Sequence, residues 1–228
     1  MLPKVKSSRH TATRTIELIV FDLDGTIIDS AQDLAQAARY SLQQVGSGLR
    51  SFEFIRSCIG GGARNLLLRC LDDDKKDRSD AALAYFRNYY EENCTAHTVL
   101  YPGVAEVLRF YAGKKRLALA TFKIRPATAR ILQSLGIAEC FDVWITADDV
   151  QRPKPDPECI QTILRRVGLS AEDALLVGDT TTDILTGKNA GVATCAVTYG
   201  IGTRKQLSDA RPAFIIDHIR ELKEIAPI

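Results

Sequence analysis

The sequence predicts an α/β protein in which a parallel sheet has helices on both faces and an all-helical segment is inserted after the first strand. Short apolar runs rich in β-branched residues alternate with segments whose apolar residues share one helical face. This alternation is typical of a parallel sheet covered on both sides. From the first run to about residue 100, however, the sequence shows helical patterns and no convincing strand. We therefore expect an α/β core interrupted by a helical insertion.

The apolar runs predict the strands of the core in chain order. They cover residues 16–21, 117–120, 143–145, 174–177, 193–197 and 213–216. The helical patterns of the core lie between them, at 104–111, 127–135 and 160–167. Because each run is apolar throughout, we expect strands that are buried on both faces.

The insertion has its own helical pattern. A stripe of apolar residues with helical spacing runs from Ala31 to Val45, and segments 54–71 and 81–90 predict further helices. The charged stretch DDDKKDRS separates the last two. We interpret that stretch as a solvated loop.

Composition limits the classes of function. The 228 residues are 46% hydrophobic, enough for one full core and a smaller domain. The 30 basic and 28 acidic residues nearly balance, so we expect neither nucleic acid nor membrane as partner. The basic segment 1–15 predicts a disordered leader, and six scattered cysteines predict buried reduced thiols. Together these features favour a cytoplasmic protein.

Polar residues follow several of the predicted strands. The carboxyl ends of parallel strands form the ligand-binding edge of an open α/β sheet, so these residues should converge there. They are Asp22 and Asp24 in FDLDGT, Thr121 in LALAT, and Asp179 and Asp183 in GDTTTD; Lys154 in RPKPDP lies in a loop that leads into a helix and should reach the same edge.

So many carboxylates at one edge would repel one another unless a cation neutralised them. Ligation by oxygen alone favours a hard ion, Mg²⁺ above all. A lysine at the same edge, Lys154, indicates that a polyanion binds opposite the metal. The combination predicts phosphoryl transfer, which needs an aligned nucleophile and fixed positive charge.

The four segments FDLDGTIIDS, LALAT, KPDP and GDTTTD resemble, in order and spacing, the four motifs of the haloacid dehalogenase superfamily. The resemblance covers nearly the whole chain. It implies a Rossmann-like core at residues 16–30 and 97–228, with a helical cap domain at 31–96. The segments IGGG, LYPGV and KPDP look most like those of phosphoglycolate phosphatases.

The resemblance also implies roles for individual residues. Asp22 would be the nucleophile that becomes phosphorylated, and Asp24 the general acid and base. Mg²⁺ would bind the Asp22 carboxylate, the Asp24 carbonyl and Asp179, with Asp183 behind them or acting through water. Thr121 and Lys154 would bind the phosphoryl oxygens. The spacing of Asp22 and Asp24 is consistent with this, because residues i and i+2 of an extended chain point the same way.

Two features bear on the substrate. After Thr121 the family commonly has Asn, whereas this chain has Phe122, which removes a side-chain amide contact and predicts either weaker turnover or a more apolar substrate wall. In the cap, Gly62 in the glycine run permits close backbone approach. We expect Arg64 to pair with a substrate anion such as the carboxylate of phosphoglycolate; the alternative is a simple inter-helix turn followed by a surface charge.

The expected function is therefore Mg²⁺-dependent hydrolysis of a small phosphorylated metabolite by a monomer or homodimer. Three enzymes of the same fold remain as alternatives: a sugar-phosphate mutase, a pyrophosphatase and a nucleotidase. The non-enzymatic alternative is a binding module that has lost its catalytic activity.

Overall fold

The computed structural model describes residues 15–228 of the chain. Apart from Thr15, the leader predicted at residues 1–15 lies outside them. Eight strands occur in the described part: β1 Leu18–Phe21, β2 Ile28–Asp29, β3 Val99–Leu100, β4 Arg116–Ala120, β5 Val143–Ile145, β6 Ala174–Gly178, β7 Ala193–Val197 and β8 Phe214–Ile216. Six of them form a parallel sheet in the order β5-β4-β1-β6-β7-β8.

Strand β1 lies inside this sheet, between β4 and β6. Its four residues are at most 1% exposed, because Ile19 and Phe21 pack into one hydrophobic cluster and Leu18 and Val20 into another. The strand order reverses around β1, so its carboxyl end lies at a topological switch point, where ligand sites form in such sheets. The first strand begins at Leu18 and not at residue 16, as the apolar run had predicted.

Helices cover both faces of the sheet, which confirms the predicted fold class. Those of the core are α5 Val104–Tyr111, α6 Arg125–Ser134, α7 Glu158–Val167, α8 Thr181–Ala190, α9 Arg204–Asp209 and α10 Leu222–Ile225. The amphipathic faces predicted for α5, α6 and α7 are the faces that pack on the strands.

The insertion contains α1 Ala31–Gln44, α2 Phe52–Ser57, α3 Gly62–Cys70 and α4 Ser79–Asn93. The single helix expected over residues 54–71 was wrong: it is divided into α2 and α3 by a turn that includes Gly60, whose φ of +115° does not fit a helix. The charged stretch is a 3₁₀ helix over Asp73–Arg78 with no buried residue; it is solvated, as predicted, but it is not an irregular loop.

The expectation of no strand before residue 100 was also wrong. Strands β2 and β3 pair antiparallel where the chain leaves and re-enters the core, with Ile28 opposite Leu100. Two residues are too few to produce a periodic pattern, so these strands could not be predicted from the sequence. All six cysteines are free, and all but the partly buried Cys140 are buried, as expected.

No helix within residues 15–228 is long and apolar enough to cross a membrane.

Candidate active site

Three buried aspartates meet at the carboxyl edge of the sheet. Asp22 follows β1, Asp179 follows β6, and Asp183 lies in the first turn of α8. Each offers one carboxylate oxygen, and these oxygens all lie within 4.8 Å of one another. The parallel arrangement of β1 and β6 thus brings together residues that are more than 150 positions apart in the sequence.

Lys154 contacts two of these carboxylates. Its Nζ lies 2.7 Å from Asp22 Oδ1 and 2.8 Å from Asp183 Oδ1, and its side chain is 3% exposed. Burial opposes the charged form of Lys154, but the carboxylates of Asp183 and Asp22 outweigh it and raise the pKa of the lysine. Lys154 is therefore a fixed positive charge beside Asp22.

The three carboxylates are not neutralised by this lysine alone. Burial, reinforced by the neighbouring Asp183 and Asp179, raises the pKa of Asp22 well above its ordinary value even though Lys154 opposes the shift. Burial and Asp183 raise the pKa of Asp179 to about 7. Such shifts show that excess negative charge is unfavourable here. Oxygen donors in a cluster that carries more negative than positive charge fit a hard divalent cation.

Asp179 is held from several sides. Its Oδ1 accepts a hydrogen bond from Thr26 Oγ1 at 2.9 Å, and its Oδ2 accepts one from the backbone N–H of Ile201 at 2.8 Å. Gly25, with φ of +90°, passes so close that a Cβ at that position would overlap the Asp179 carboxylate. Sequence reasoning missed the roles of Thr26 and Ile201, since neither stands out as a motif residue.

Asp183 has two roles at once. Its Oδ2 accepts hydrogen bonds from the N–H and the hydroxyl of Thr180, which forms a capping box at the start of α8. Its Oδ1 faces Lys154. Asp183 therefore has a structural role at the start of α8, and that role also fixes its side chain next to the acid cluster.

Asp24 lies beside a lysine that the sequence did not reveal. Its Oδ1 accepts a hydrogen bond from Ser30 Oγ and is 3.1 Å from Lys123 Nζ. Lys123 is buried and donates a hydrogen bond of 2.8 Å to the hydroxyl of Tyr90 on α4. The only available signal was position: Lys123 follows Thr121 by two residues.

Thr121 and Phe122 follow β4. Thr121 is 6% exposed, and its Oγ1 accepts a hydrogen bond from the N–H of Lys123. The Phe122 ring centroid is 5.7 Å from Lys154 Nζ. Gly62, with φ of +80°, approaches Phe122 from the insertion, and a Cβ on Gly62 would lie 3.7 Å from the phenylalanine Cβ. The glycine turn therefore covers this part of the core.

A chamber of about 240 Å³ separates the core from the insertion. Its polar lining includes Asp22, Asp24, Glu91, Thr121, Lys123, Thr180 and Asp183, whereas Lys154 and Asp179 do not line it. Most of the remaining lining is apolar and includes Leu34, Ile59, Leu83, Phe86, Phe122 and Ile124.

Two arginines also line the chamber. Arg64, expected to bind a substrate anion, forms a 2.6 Å ion pair with Asp80 in which the two side chains are 56% and 81% exposed. Arg87 on α4 has no hydrogen-bond or ion-pair partner among residues 15–228. An exposed ion pair contributes about 0–1 kcal/mol, so Arg64 can exchange Asp80 for a ligand at little cost. Both arginines are exposed.

Comparison with known proteins gives a consistent picture. The family model described as "haloacid dehalogenase-like hydrolase" matches residues 19–197. Phosphoglycolate phosphatase 1 of Pseudomonas aeruginosa is 35% identical over 218 residues, which cover 92% of this chain and 80% of that protein. Phosphoglycolate phosphatase of Vibrio cholerae is 35% identical over 220 residues, which cover 93% of this chain and 97% of that protein.

Solved structures share the fold. The crystal structure of a predicted phosphoglycolate phosphatase from Haemophilus somnus superimposes with a TM-score of 0.84 at 29% identity, covering 92% of this chain and 97% of that one.

Proposed function

The chain belongs to the haloacid dehalogenase-like hydrolases, and on that premise we propose that it hydrolyses a small phosphomonoester through a phosphorylated Asp22. The observation that carries the proposal is the contact of Lys154 with Asp22 inside a buried acid cluster. The names of the relatives support phosphatase activity.

In the first proposed step, a carboxylate oxygen of Asp22 attacks phosphorus and the bond to the leaving oxygen breaks. That oxygen takes a proton from Asp24 and departs as an alcohol. Water then attacks the phosphorus of the phosphorylated Asp22 and gives a proton to Asp24. The bond between phosphorus and Asp22 breaks, and inorganic phosphate leaves.

Fixed groups around Asp22 support these steps. We propose that Lys154 and Thr121 bind phosphoryl oxygens; Lys154 also favours the ionised form of Asp22, against the effect of burial. The acid cluster is suited to Mg²⁺, bound by Asp22, the Asp24 carbonyl and Asp179, with Asp183 supporting the site. When bound, the ion would supply positive charge to the phosphoryl oxygens.

The test is hydrolysis of p-nitrophenyl phosphate with and without Mg²⁺. We expect Asp22→Asn to lower kcat by at least about 10³-fold, because the amide is not a nucleophile, and to fold normally, because burial already disfavours the charged carboxylate. The exposed Asp77→Asn is the matched control and should retain full activity. Activity that survives in Asp22→Asn, or that needs no divalent ion, would contradict the mechanism.

The same assay separates the alternatives. Release of inorganic phosphate from a phosphomonoester distinguishes a phosphatase from a mutase, which would give an isomerised sugar phosphate. Pyrophosphate and nucleoside monophosphates test the two other hydrolases of this fold. A wild-type protein without any turnover would favour the binding module.

For the substrate, we propose phosphoglycolate or a close analogue, supported by the names of the relatives and by the arginines of the chamber. Comparing phosphoglycolate with ethyl phosphate isolates the contribution of the carboxylate. Arg64→Ala should raise KM for phosphoglycolate about tenfold and leave KM for ethyl phosphate unchanged. Arg87→Ala is the matched variant, and a KM effect confined to it would move the anion-binding role from Arg64 to Arg87.

One observation favours a second candidate, a phosphomonoester with a larger apolar leaving group. The chamber is mainly apolar, and Phe122 occupies a position where the family commonly has Asn. If this candidate is correct, kcat/KM for butyl or phenyl phosphate should exceed that for phosphoglycolate. Phe122→Asn should then reduce the preference.

We further propose that residues 31–96 act as a cap over a core formed by 16–30 and 97–228. The chamber lies between the two parts, which supports this division. Action in the cytoplasm, on small metabolites and without nucleic acid or membrane partners, belongs to the same proposal.

A further inference from the structure

The carboxylate of Asp24 is held at one oxygen only. Ser30 Oγ and Lys123 Nζ both reach Oδ1, and within residues 15–228 no donor reaches Oδ2. Two contacts to one oxygen fix the plane of the carboxylate. Oδ2 is then the oxygen that can exchange a proton with a ligand in the chamber, which Asp24 lines.

Lys123 is buried, unlike most lysines. Its side chain is 5% exposed, and a buried ammonium group is costly unless it is paired. It has two partners: Asp24 Oδ1 at 3.1 Å and the Tyr90 hydroxyl at 2.8 Å. Its Nζ also lies 4.6 Å from the centroid of the Tyr90 ring. The lysine therefore connects the aspartate with the tyrosine.

These partners come from different parts of the chain. Asp24 follows β1 and Lys123 follows β4, whereas Tyr90 lies on α4 of the insertion and is 4% exposed. Other polar contacts between insertion and core, such as Arg56 with the carbonyl of Gly200, do not involve the residues proposed to react. Tyr90, in contrast, contacts Lys123, and Lys123 contacts Asp24, which is one of the residues proposed to react.

We propose that Lys123 is a positioning residue for the proton-transfer steps at Asp24, and that Tyr90 holds Lys123 in place only when the insertion is packed on the core. The proposal rests on the proposed phosphatase function. Lys123 also lines the chamber, but the role proposed for it is to orient Asp24, so that Oδ2 can give a proton to the leaving oxygen and later take one from water.

This role makes a selective prediction. An alkyl phosphate must lose an alkoxide, which needs the proton of Asp24 as the bond to phosphorus breaks. A p-nitrophenolate leaves without that proton. Because kcat/KM reports the steps up to the first irreversible transfer, only the alkyl substrate should depend on Lys123 in this parameter.

The first experiment measures kcat/KM of Lys123→Met for butyl phosphate and for p-nitrophenyl phosphate. We expect kcat/KM for butyl phosphate to fall by about 10²-fold, since general acid catalysis typically contributes at least that factor. For p-nitrophenyl phosphate, whose leaving group needs no proton, we expect a loss of less than about threefold. Lys123→Arg, which keeps the charge, should restore part of the loss. Equal losses for both substrates would assign Lys123 a structural role and overturn the proposal.

The matched control is Lys115→Met. Lys115 precedes β4 at the opposite edge of the sheet, is equally buried, and donates to the carbonyl of Ile16 at 2.6 Å. Its loss removes a buried ammonium group without touching the site. In this variant the ratio of kcat/KM for butyl phosphate to kcat/KM for p-nitrophenyl phosphate should stay at the wild-type value.

A second readout follows the water step. If Asp24 is misplaced, hydrolysis of phosphorylated Asp22 slows while formation from p-nitrophenyl phosphate does not. Rapid mixing of Lys123→Met with that substrate should then give a burst of nitrophenolate approaching one equivalent per site. Slow release without a burst would contradict the proposal.

Tyr90→Phe tests the link to the insertion. Removal of the hydroxyl should shift the ratio of kcat/KM values in the same direction as Lys123→Met, by about threefold to tenfold. Tyr111→Phe is the control, because Tyr111 is also buried and its hydroxyl bonds the carbonyl of Leu222 far from the chamber. A ratio unchanged in Tyr90→Phe would remove the insertion from the proposal.

Failure of the proposed function is distinguishable from failure of this inference. If Asp22→Asn hydrolyses butyl phosphate and p-nitrophenyl phosphate as fast as the wild type does, the proposed function through Asp22 is wrong. If Asp22→Asn is inactive but the substrate ratio ignores Lys123, only the positioning role is wrong.

Discussion

The position of Asp179 depends on how closely two glycines pass it. A Cβ on Gly25 or on Gly200 would overlap the aspartate side chain, so only glycine leaves room for the carboxylate at these positions. Gly25 also has φ of +90°, a conformation that other residues rarely adopt. Steric room and backbone conformation at Gly25 therefore place Asp179 beside Asp22.

Gly25→Ala should displace Asp179 and weaken divalent-ion binding by about 10²-fold, with a parallel loss of phosphatase activity. Isothermal titration with Mg²⁺ and the p-nitrophenyl phosphate assay measure the two effects. The control is Gly46→Ala, where φ is +67° but nothing lies within 4 Å of the new Cβ. That variant should lose only about 1–2 kcal/mol of stability. Equal Mg²⁺ affinities in the two variants would exclude the steric argument.

At the scale of elements, a buried carboxylate joins the start of the insertion to the segment where the chain re-enters the core. Asp33 in the first turn of α1 accepts hydrogen bonds from the N–H groups of His97 and Thr98 and from the Thr98 hydroxyl, at 2.8 to 3.0 Å. Its side chain is fully buried. The β2–β3 pair lies next to this cluster along the chain. Both crossings between core and insertion are therefore fixed by hydrogen bonds.

Asp33→Asn should lower the free energy of unfolding by about 2–3 kcal/mol, because the amide NH₂ group would face N–H donors and charge-assisted bonds would be lost. Denaturant unfolding measures the change. Asp209→Asn is the control: Asp209 is exposed and pairs with Lys205 on the same helix, so its loss should change stability by at most about 0.5 kcal/mol. Similar losses in both variants would contradict the role assigned to Asp33.

For the whole molecule, the acid cluster opposes folding when it is charged. The folded protein holds a proton on Asp179 up to a pKa of about 7, whereas an aspartate in the unfolded chain releases its proton near 3.8. Between these values the folded state binds more protons than the unfolded state. Its stability therefore falls as the pH rises through this window.

We expect the metal-free protein to lose up to about 4 kcal/mol of unfolding free energy between pH 4 and pH 7 through Asp179. Mg²⁺ should reduce this loss, because it replaces the proton in neutralising the cluster, and should stabilise by about 2.7 kcal/mol at 100 times its Kd. Denaturant unfolding in chelator and in Mg²⁺ measures both effects. Asp179→Asn should flatten the pH dependence; identical slopes with and without Mg²⁺ would argue against a cation in the cluster.

Local sequence features determined the core of this protein and the residues around which its chemistry is proposed. A strand buried on both faces needs an unbroken apolar run, so the six strands of the main sheet were predicted to within two residues at either end. Because parallel strands share a carboxyl edge, the sequence also predicted that Asp22, Asp179 and Lys154 converge at one edge; their direct proximity depends on β1 and β6 being neighbours in the sheet.

Only the tertiary structure decided how the insertion meets that edge. The contact of Tyr90 with Lys123, the hydrogen bonds of Thr26 and Ile201 to Asp179, and the two-residue β2–β3 pair join segments distant in sequence. Periodicity reports which face of an element is buried, but not which residue lies opposite. That choice depends on how side chains from separate elements pack together, and this packing is fixed only when the whole chain has folded.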